Sequence, residues 1–217
     1  VPVEIKICGI TEEEAVEAAL EAGADHLGLV FFARSPRAVT PERAAELVSW
    51  LPQPVGRVGL FVDPDDALLD AVLGAVRLDL LQLHGNESPE RVEAIRQEYG
   101  LPVMKAIPVA AAADLAAAEA YLGIADRLLF DARPPLGAAL PGGNAASFDW
   151  TLLAGKRWPL RWMLAGGLTP ANVAEAIRVT GAPAVDVSSG VETAPGRKDP
   201  ALIRAFIAAA RVPPAAA

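Results

Sequence analysis

Short apolar, β-rich runs alternate with amphipathic stretches along the whole chain. The runs fall at 4–9, 26–32, 57–62, 79–83, 102–107, 127–131, 161–165 and 184–188. Helical periodicity follows each of them, near 12–22, 41–51, 65–76, 88–99, 111–122, 148–154, 170–180 and 199–211. Many of these stretches carry a start signal. Thr11 precedes three glutamates, and Thr40, Asp63, Ser88, Thr169 and Asp199 each precede a proline. An oxygen-bearing cap with proline at the first helical position suits the unpaired N–H groups of a helix start.

Eight β–α units with continuous apolar strands imply parallel strands covered by helices. A doubly wound open sheet and a closed (β/α)₈ barrel both satisfy that pattern. The count of eight, the even spacing and the lack of a linker favour the barrel, one α/β domain over 1–212. The tail 213–217, Pro-Pro-Ala-Ala-Ala, can bury little and is expected to fray. One connection is long: 132–147 holds three prolines and three glycines and leaves the C-terminal end of strand 6, where barrel enzymes keep their chemistry.

Composition narrows the function. The 217 residues carry 19 Lys and Arg against 27 Asp and Glu, a net charge of −8. That balance argues against nucleic acid or an anionic membrane as partner, since both need clustered cations. No signal-peptide pattern and no apolar run of the roughly 18 residues that span a membrane is visible, so a cytoplasmic protein is expected. One Cys and two separated His supply neither an internal disulfide nor a closed zinc site, so no metal is expected.

Two small-residue turns are the best anion signal. Gly166-Gly167 ends strand 7 and Ser189-Gly190 ends strand 8, the two loops where barrels most often hold phosphate. Each turn alone reads equally as a tight turn. Neither the P-loop pattern nor a dinucleotide glycine fingerprint is present, and Gly196-Arg197-Lys198 reads as a basic turn before the last helix. Strand alternation puts Lys6 and Cys8 on one face of strand 1, opposite Ile5 and Ile7, so Cys8 points to the barrel mouth; a small buried hydrophobe is the competing reading. Asp131 terminates an apolar strand on the same rim and is a candidate acid or base, or else a loop carboxylate. Arg34 and Arg37 follow strand 2 as an anion clamp or two solvated charges. His84 ends strand 4 as a substrate contact or a structural histidine, and His26 reads as structural. Strands 1 and 8 are neighbours in a closed barrel, so Lys6 and Asp186 are expected to pair inside it within about 4 Å.

These motifs together resemble phosphoribosylanthranilate isomerases. The segments that carry the likeness are Lys6-Ile7-Cys8-Gly9-Ile10-Thr11, Ser35-Pro36-Arg37, Val58-Gly59-Leu60-Phe61-Val62, Leu81-Gln82-Leu83-His84-Gly85, Phe148-Asp149-Trp150, Leu164-Ala165-Gly166-Gly167-Leu168 with Asn172, and Val185-Asp186-Val187-Ser188-Ser189-Gly190-Val191-Glu192, closed by Gly196 and Lys198-Asp199. They run in order over nearly the whole chain. The resemblance implies a single-domain (β/α)₈ TIM barrel of the ribulose-phosphate-binding type and a cofactor-free, metal-free Amadori rearrangement in tryptophan biosynthesis. It makes Asp131 the general acid at the furanose oxygen, Cys8 the general base at ribose C2, and Arg37 the carboxylate contact. Gly166, Gly167, Ser189 and Gly190 become the phosphate turns. The chain departs from the family's Gly-Gly-Thr-Gly at Gly142-Gly143-Asn144-Ala145, where Asn144 offers hydrogen bonds in the threonine's place. The partner implied is a small phosphosugar–anthranilate substrate, with the protein a monomer or a homodimer.

Other phosphate-binding barrels compete. The histidine-pathway isomerase does the same type of reaction, but it resembles a chain with an acid at the end of strand 1, where Cys8 stands here. Pentose-phosphate epimerases want metal ligands on several strands. A phosphosugar sensor needs only the two turns and leaves Cys8 and Asp131 unexplained.

Overall fold

A computed structural model describes residues 2–135, 137–138, 140–143 and 146–212, so the expectations for Asn144 and for the tail 213–217 lie outside the described residues. Eight parallel strands close into a barrel in sequence order: β1 (Glu4–Cys8), β2 (His26–Val30), β3 (Gly56–Phe61), β4 (Leu80–Leu83), β5 (Val103–Val109), β6 (Arg127–Ala132), β7 (Arg161–Leu164) and β8 (Ala184–Val187). β8 returns to β1 with Lys6 opposite Asp186, which closes the sheet and excludes the open alternative. A small hairpin, β9 (Glu192–Ala194) with β10 (Arg197–Lys198), follows strand 8.

The two-residue period sorts each strand. Ile5, Ile7, Leu27, Leu29, Leu81 and Leu83 point outward into the layer under the helices. Val58, Leu80, Met104, Ala106, Leu129, Met163 and Ala184 fill the barrel interior. Cys8, Val30 and Leu60 sit above them as an apolar ledge at the mouth. Lys6 and Asp186 meet inside at 2.8 Å, as the register requires.

Among the described residues six α-helices cover the barrel: α1 (Glu13–Ala22), α2 (Pro41–Val48), α3 (Asp66–Ala75), α4 (Pro89–Tyr99), α5 (Val173–Thr180) and α6 (Pro200–Ala210). Thr40, Ser88 and Asp199 cap them as the sequence predicts, accepting from Arg43, Arg91, and Ala201 with Leu202. Three expected caps differ. The Thr11 hydroxyl donates to Gly196 O at 3.0 Å, and α1 starts from Glu12 without a side-chain cap. Asp63, at φ 46°, is held by the strand 4 loop: its N–H donates to Glu87 and its Oδ1 accepts from Asn86 N–H, so Asp65 caps α3. Thr169 yields to Asn172, whose Oδ1 accepts from Thr169 N–H while its Nδ2 donates to Gly167 O.

Two expected helices are 3₁₀ segments. At Ala112–Tyr121 the core-facing residues are Leu115, Ala118 and the half-buried Tyr121, a three-residue repeat that matches the eclipsed geometry of a 3₁₀ turn. Trp150–Leu153 is a single turn capped by Asp149 that buries only Leu153.

Candidate active site

The sequence-predicted residues converge on the C-terminal mouth of the barrel. One cleft, about 480 Å³, is lined by Cys8, Arg37, His84, Asp131 and Asp186, with Val30, Phe32, Leu60 and Val62 as an apolar side and Gly142 and Gly143 of the long loop above. A second, about 410 Å³, adjoins it and shares Asp131, Gly142, Gly143, Asp186 and Ser188. It is lined by Gly166, Gly167, Ser189 and Gly190. Arg34 stays on the rim, its guanidinium 5.1 Å from the Phe32 ring centre, and lines a third, more peripheral cleft. His26 is at the opposite end of the barrel, 3.3 Å from Glu4, where it serves the floor.

Cys8 is 3% exposed, yet it lines the cleft. Gly28 on the adjacent strand makes room for it: a Cβ there would stand 2.9 Å from Cys8 Sγ and 3.1 Å from Lys6 Nζ, so thiol and ammonium share one side of β2. Burial pushes the Cys8 thiol up from its ordinary value. The Lys6 ammonium pulls it back by charge and by hydrogen bonding, Asp186 opposes that, and Lys198 adds a smaller downward pull; the net is upward. A thiolate base would need the reverse, a thiol tuned down, so the resting site holds Cys8 chiefly as a thiol. For Lys6, burial alone would disfavour the ammonium, but Asp186 and Cys8 outweigh it and hold its pKa above the usual lysine range.

Asp131 accepts its neighbour Ala132 N–H at Oδ1 (2.8 Å), and its Oδ2 lies 3.1 Å from His84 Nε2. His84 Nδ1 lies 2.9 Å from Gln82 Nε2. His84 is therefore bound to the carboxylate as well as facing the cleft. The long loop closes over this pair, because a Cβ on Gly142 would come within 2.8 Å of His84 Nε2 and 2.9 Å of Asp131 Oδ2.

Arg37 is buried, not solvated, and its fork is partly engaged. Nε donates to Glu192 Oε1 at 2.7 Å, and Nη2 donates to Glu192 Oε2 at 2.8 Å and to Gly143 O at 3.2 Å. Nη1 has no hydrogen-bond partner among the described residues, so a carboxylate there would meet one edge of the guanidinium instead of the whole fork. Lys198 is buried as well. Its Nζ donates to Glu192 at 2.7 Å and to Ser188 O at 3.0 Å, which corrects the reading of 196–198 as only a basic turn. Burial lowers the Lys198 pKa, partly countered by Glu192. Glu192 is held below the usual carboxylate range: burial opposes ionisation, but Arg37 and Lys198 win. Sequence reasoning gave Glu192, Lys198 and Gly28 no role. Beyond their place in the segments that carry the resemblance, Glu192 and Lys198 show only two opposite charges around a glycine turn, which is common in solvated loops, and Gly28 leaves no signal.

The two small-residue turns present backbone donors. Gly166 and Gly167 have φ of 84° and 67°, and a Cβ on Gly166 would sit 2.6 Å from Ala132 N. At Gly190 a Cβ would sit 1.8 Å from Leu168 O, which only glycine allows. Among the described residues the N–H groups of Gly166, Gly167, Ser189 and Gly190 have no protein acceptor. Four such N–H donors lining one cleft beside Ser hydroxyls make a cradle suited to a phosphate dianion. No cluster of three or more His, Cys, Asp or Glu is placed to hold a metal among the described residues, and none of their helices is long and apolar enough to cross a membrane.

Known proteins agree with this geometry. The family model described as N-(5′-phosphoribosyl)anthranilate (PRA) isomerase matches residues 5–209. An N-(5′-phosphoribosyl)anthranilate isomerase of Paramagnetospirillum magneticum is 72% identical over 210 residues, 97% of this chain and 98% of that protein. One of Rhodospirillum rubrum is 63% identical over 212 residues, 95% and 97% of the two chains. The crystal structure of the Thermotoga maritima phosphoribosyl anthranilate isomerase superposes with a TM-score of 0.86 at 39% identity, covering 96% and 98%. A second such structure, a complex with reduced 1-(o-carboxyphenylamino)-1-deoxyribulose 5-phosphate, gives 0.83 at 38% identity over the same shares. The chain belongs to the N-(5′-phosphoribosyl)anthranilate isomerase family.

Proposed function

We propose that the protein converts N-(5-phosphoribosyl)anthranilate into 1-(2-carboxyphenylamino)-1-deoxyribulose 5-phosphate, an Amadori rearrangement in tryptophan biosynthesis. The observation that carries the reading is the shared cleft: Cys8 from strand 1 and Asp131 from strand 6 line one cavity, and the four-donor cradle opens beside it. The cradle takes the 5′-phosphate. The ledge of Val30, Phe32, Leu60 and Val62 takes the anthranilate ring, and Arg37 Nη1 meets its carboxylate.

Asp131 gives a proton to the furanose ring oxygen. The C1–O bond breaks, the ring oxygen leaves as the C4 hydroxyl, and the nitrogen lone pair closes an iminium at C1. The C2 proton is now acidic. Cys8 as thiolate removes it, and the C2–H electrons form the enolamine, which tautomerises to the ketone. One proton is given and one taken, so acid and base end with exchanged protonation and reset through solvent. Burial disfavours the thiolate, and Lys6 and Lys198 offset part of that cost.

The test follows the loss of anthranilate fluorescence on addition of phosphoribosylanthranilate. Turnover well above the spontaneous rate is expected. Cys8→Ala and Asp131→Asn each lower it by at least ~10²-fold. Turnover at the spontaneous rate rejects the activity, and near-wild-type turnover in either variant rejects that residue's role. The imidazole carboxamide ribotide serves as the competing substrate.

A further inference from the structure

We propose that Gln82 is a positioning residue that fixes the tautomer of His84, so that His84 Nε2–H is a standing donor to Asp131 Oδ2. The proposal rests on the reading of Asp131 as the general acid.

Gln82 is fully buried inside the barrel on β4, between Leu60 of β3 and Met104 of β5. An amide there is costly unless it has a purpose, since apolar side chains fill the neighbouring interior positions. Its Nε2 lies 2.9 Å from His84 Nδ1, and its Oε1 has no hydrogen-bond partner among the described residues. Turning the amide over would aim Oε1 at Nδ1 and leave both N–H bonds of the NH₂ group without acceptors. As placed, one amide N–H and Oε1 lack partners among the described residues; turned over, both N–H bonds would, and a buried orphan N–H is less tolerated than a buried carbonyl oxygen, so the amide nitrogen faces the ring. A donor at Nδ1 requires a lone pair there. The ring proton of neutral His84 is therefore on Nε2, which points at Asp131 Oδ2 at 3.1 Å.

The consequence lies in the proton transfer. As Asp131 gives its proton to the ring oxygen, negative charge grows on its carboxyl group. The backbone N–H of Ala132 already meets Oδ1, and His84 Nε2–H meets Oδ2. Two preset donors stabilise the carboxylate that forms, without reorganisation. Gly142 packs over the Oδ2–Nε2 contact with no room for a Cβ, which keeps the second donor in a water-poor place. With the opposite tautomer, a bare Nε2 lone pair would face the growing charge.

The test uses the fact that the chain has only two histidines. ¹⁵N NMR of the imidazole nitrogens, with His26→Gln for assignment, reads the His84 tautomer in the intact free protein. The expected result is a protonated Nε2 and an unprotonated Nδ1. Gln82→Met keeps the length and removes the amide: the tautomer preference is lost, kcat falls about tenfold and KM stays within about twofold, since only transition-state charge is affected. Gln82→Glu accepts from Nδ1–H instead, so the proton moves to Nδ1 and kcat falls further. A wild-type ring protonated at Nδ1 overturns the proposal. So does a folded Gln82→Met or Gln82→Glu protein whose nitrogen spectrum matches wild type. If the tautomer responds as described but Asp131→Asn retains full turnover, the tautomer assignment stands and the acid role of Asp131 is what fails.

Discussion

Replacing Lys6 by Met tests the centre of the barrel and the base together. Lys6 is 0% exposed and its Nζ is 2.8 Å from Asp186, itself 7% exposed. At that distance and an effective dielectric near 20, the attraction is roughly 6 kcal/mol. Desolvating two ions offsets most of it, so the intact pair contributes little net stability. Removing one partner is different. Lys6→Met leaves the Asp186 carboxylate buried and unpaired, and the expected loss is about 3–5 kcal/mol. For a chain of this size that lowers Tm by roughly 6–20 °C. The double variant Lys6→Met/Asp186→Leu removes both charges and regains most of the loss, so its destabilisation falls short of the sum of the two single variants by at least about 3 kcal/mol. Because the folded pKa of Lys6 is raised, the pair's contribution is complete below the unfolded lysine value of about 10.4 and fades as pH rises through the folded one. Urea unfolding followed by tryptophan fluorescence measures wild type, Lys6→Met, Asp186→Leu and the double variant. A single variant within about 1 kcal/mol of wild type, or a double variant no better than the sum of the singles, would refute the buried-pair reading.

The remaining expectations concern the mouth of the barrel. The pH midpoint for Cys8 alkylation lies above the ordinary thiol value of about 8.5, and Lys6→Met or Lys198→Met moves it higher still; a midpoint at or below that value contradicts the burial argument. Glu192→Gln strips Arg37 and Lys198 of their shared carboxylate and costs about 3–5 kcal/mol in urea unfolding. The Glu192 pKa is depressed, so its contribution is full above about pH 4.3 and lost as pH falls through the folded value, and the variant lacks that part of the acid transition. Gly190→Ala forces a Cβ against Leu168 O, destabilises by about 1–3 kcal/mol and abolishes the thermal shift produced by inorganic phosphate; an unchanged shift argues against the cradle. Gly28→Ala crowds both Cys8 and Lys6 and lowers kcat more than it lowers Tm relative to an outward-facing control.

Much of the barrel was legible because its signals are local. Strand alternation separates Ile5 and Ile7 from Lys6 and Cys8 without any knowledge of neighbours. Thr40, Ser88 and Asp199 cap helices because the N–H groups they accept from lie within three residues of them. Asp63 and Thr11 fail as caps because tertiary partners do compete, Asn86 in one case and Gly196 in the other. The same distinction divides the site. Cys8 and Asp131 end strands, and a strand end on this rim is visible in sequence. The pairing of Arg37 with Glu192, 155 positions apart, has no local trace, and neither does the burial of Lys198. The direction of the Cys8 shift also depends on how the ledge of Val30 and Leu60 encloses it, which sequence pattern does not specify.

The most direct test of the division of labour is single-turnover kinetics with substrate deuterated at ribose C2, in wild type, Asp131→Asn and Cys8→Ser. If Asp131 opens the ring and Cys8 takes the C2 proton, then Asp131→Asn makes ring opening limiting and its deuterium effect shrinks towards unity. Cys8→Ser makes proton abstraction limiting, and its effect is the largest of the three. A deuterium effect that grows in Asp131→Asn, or vanishes in Cys8→Ser, contradicts the assignment.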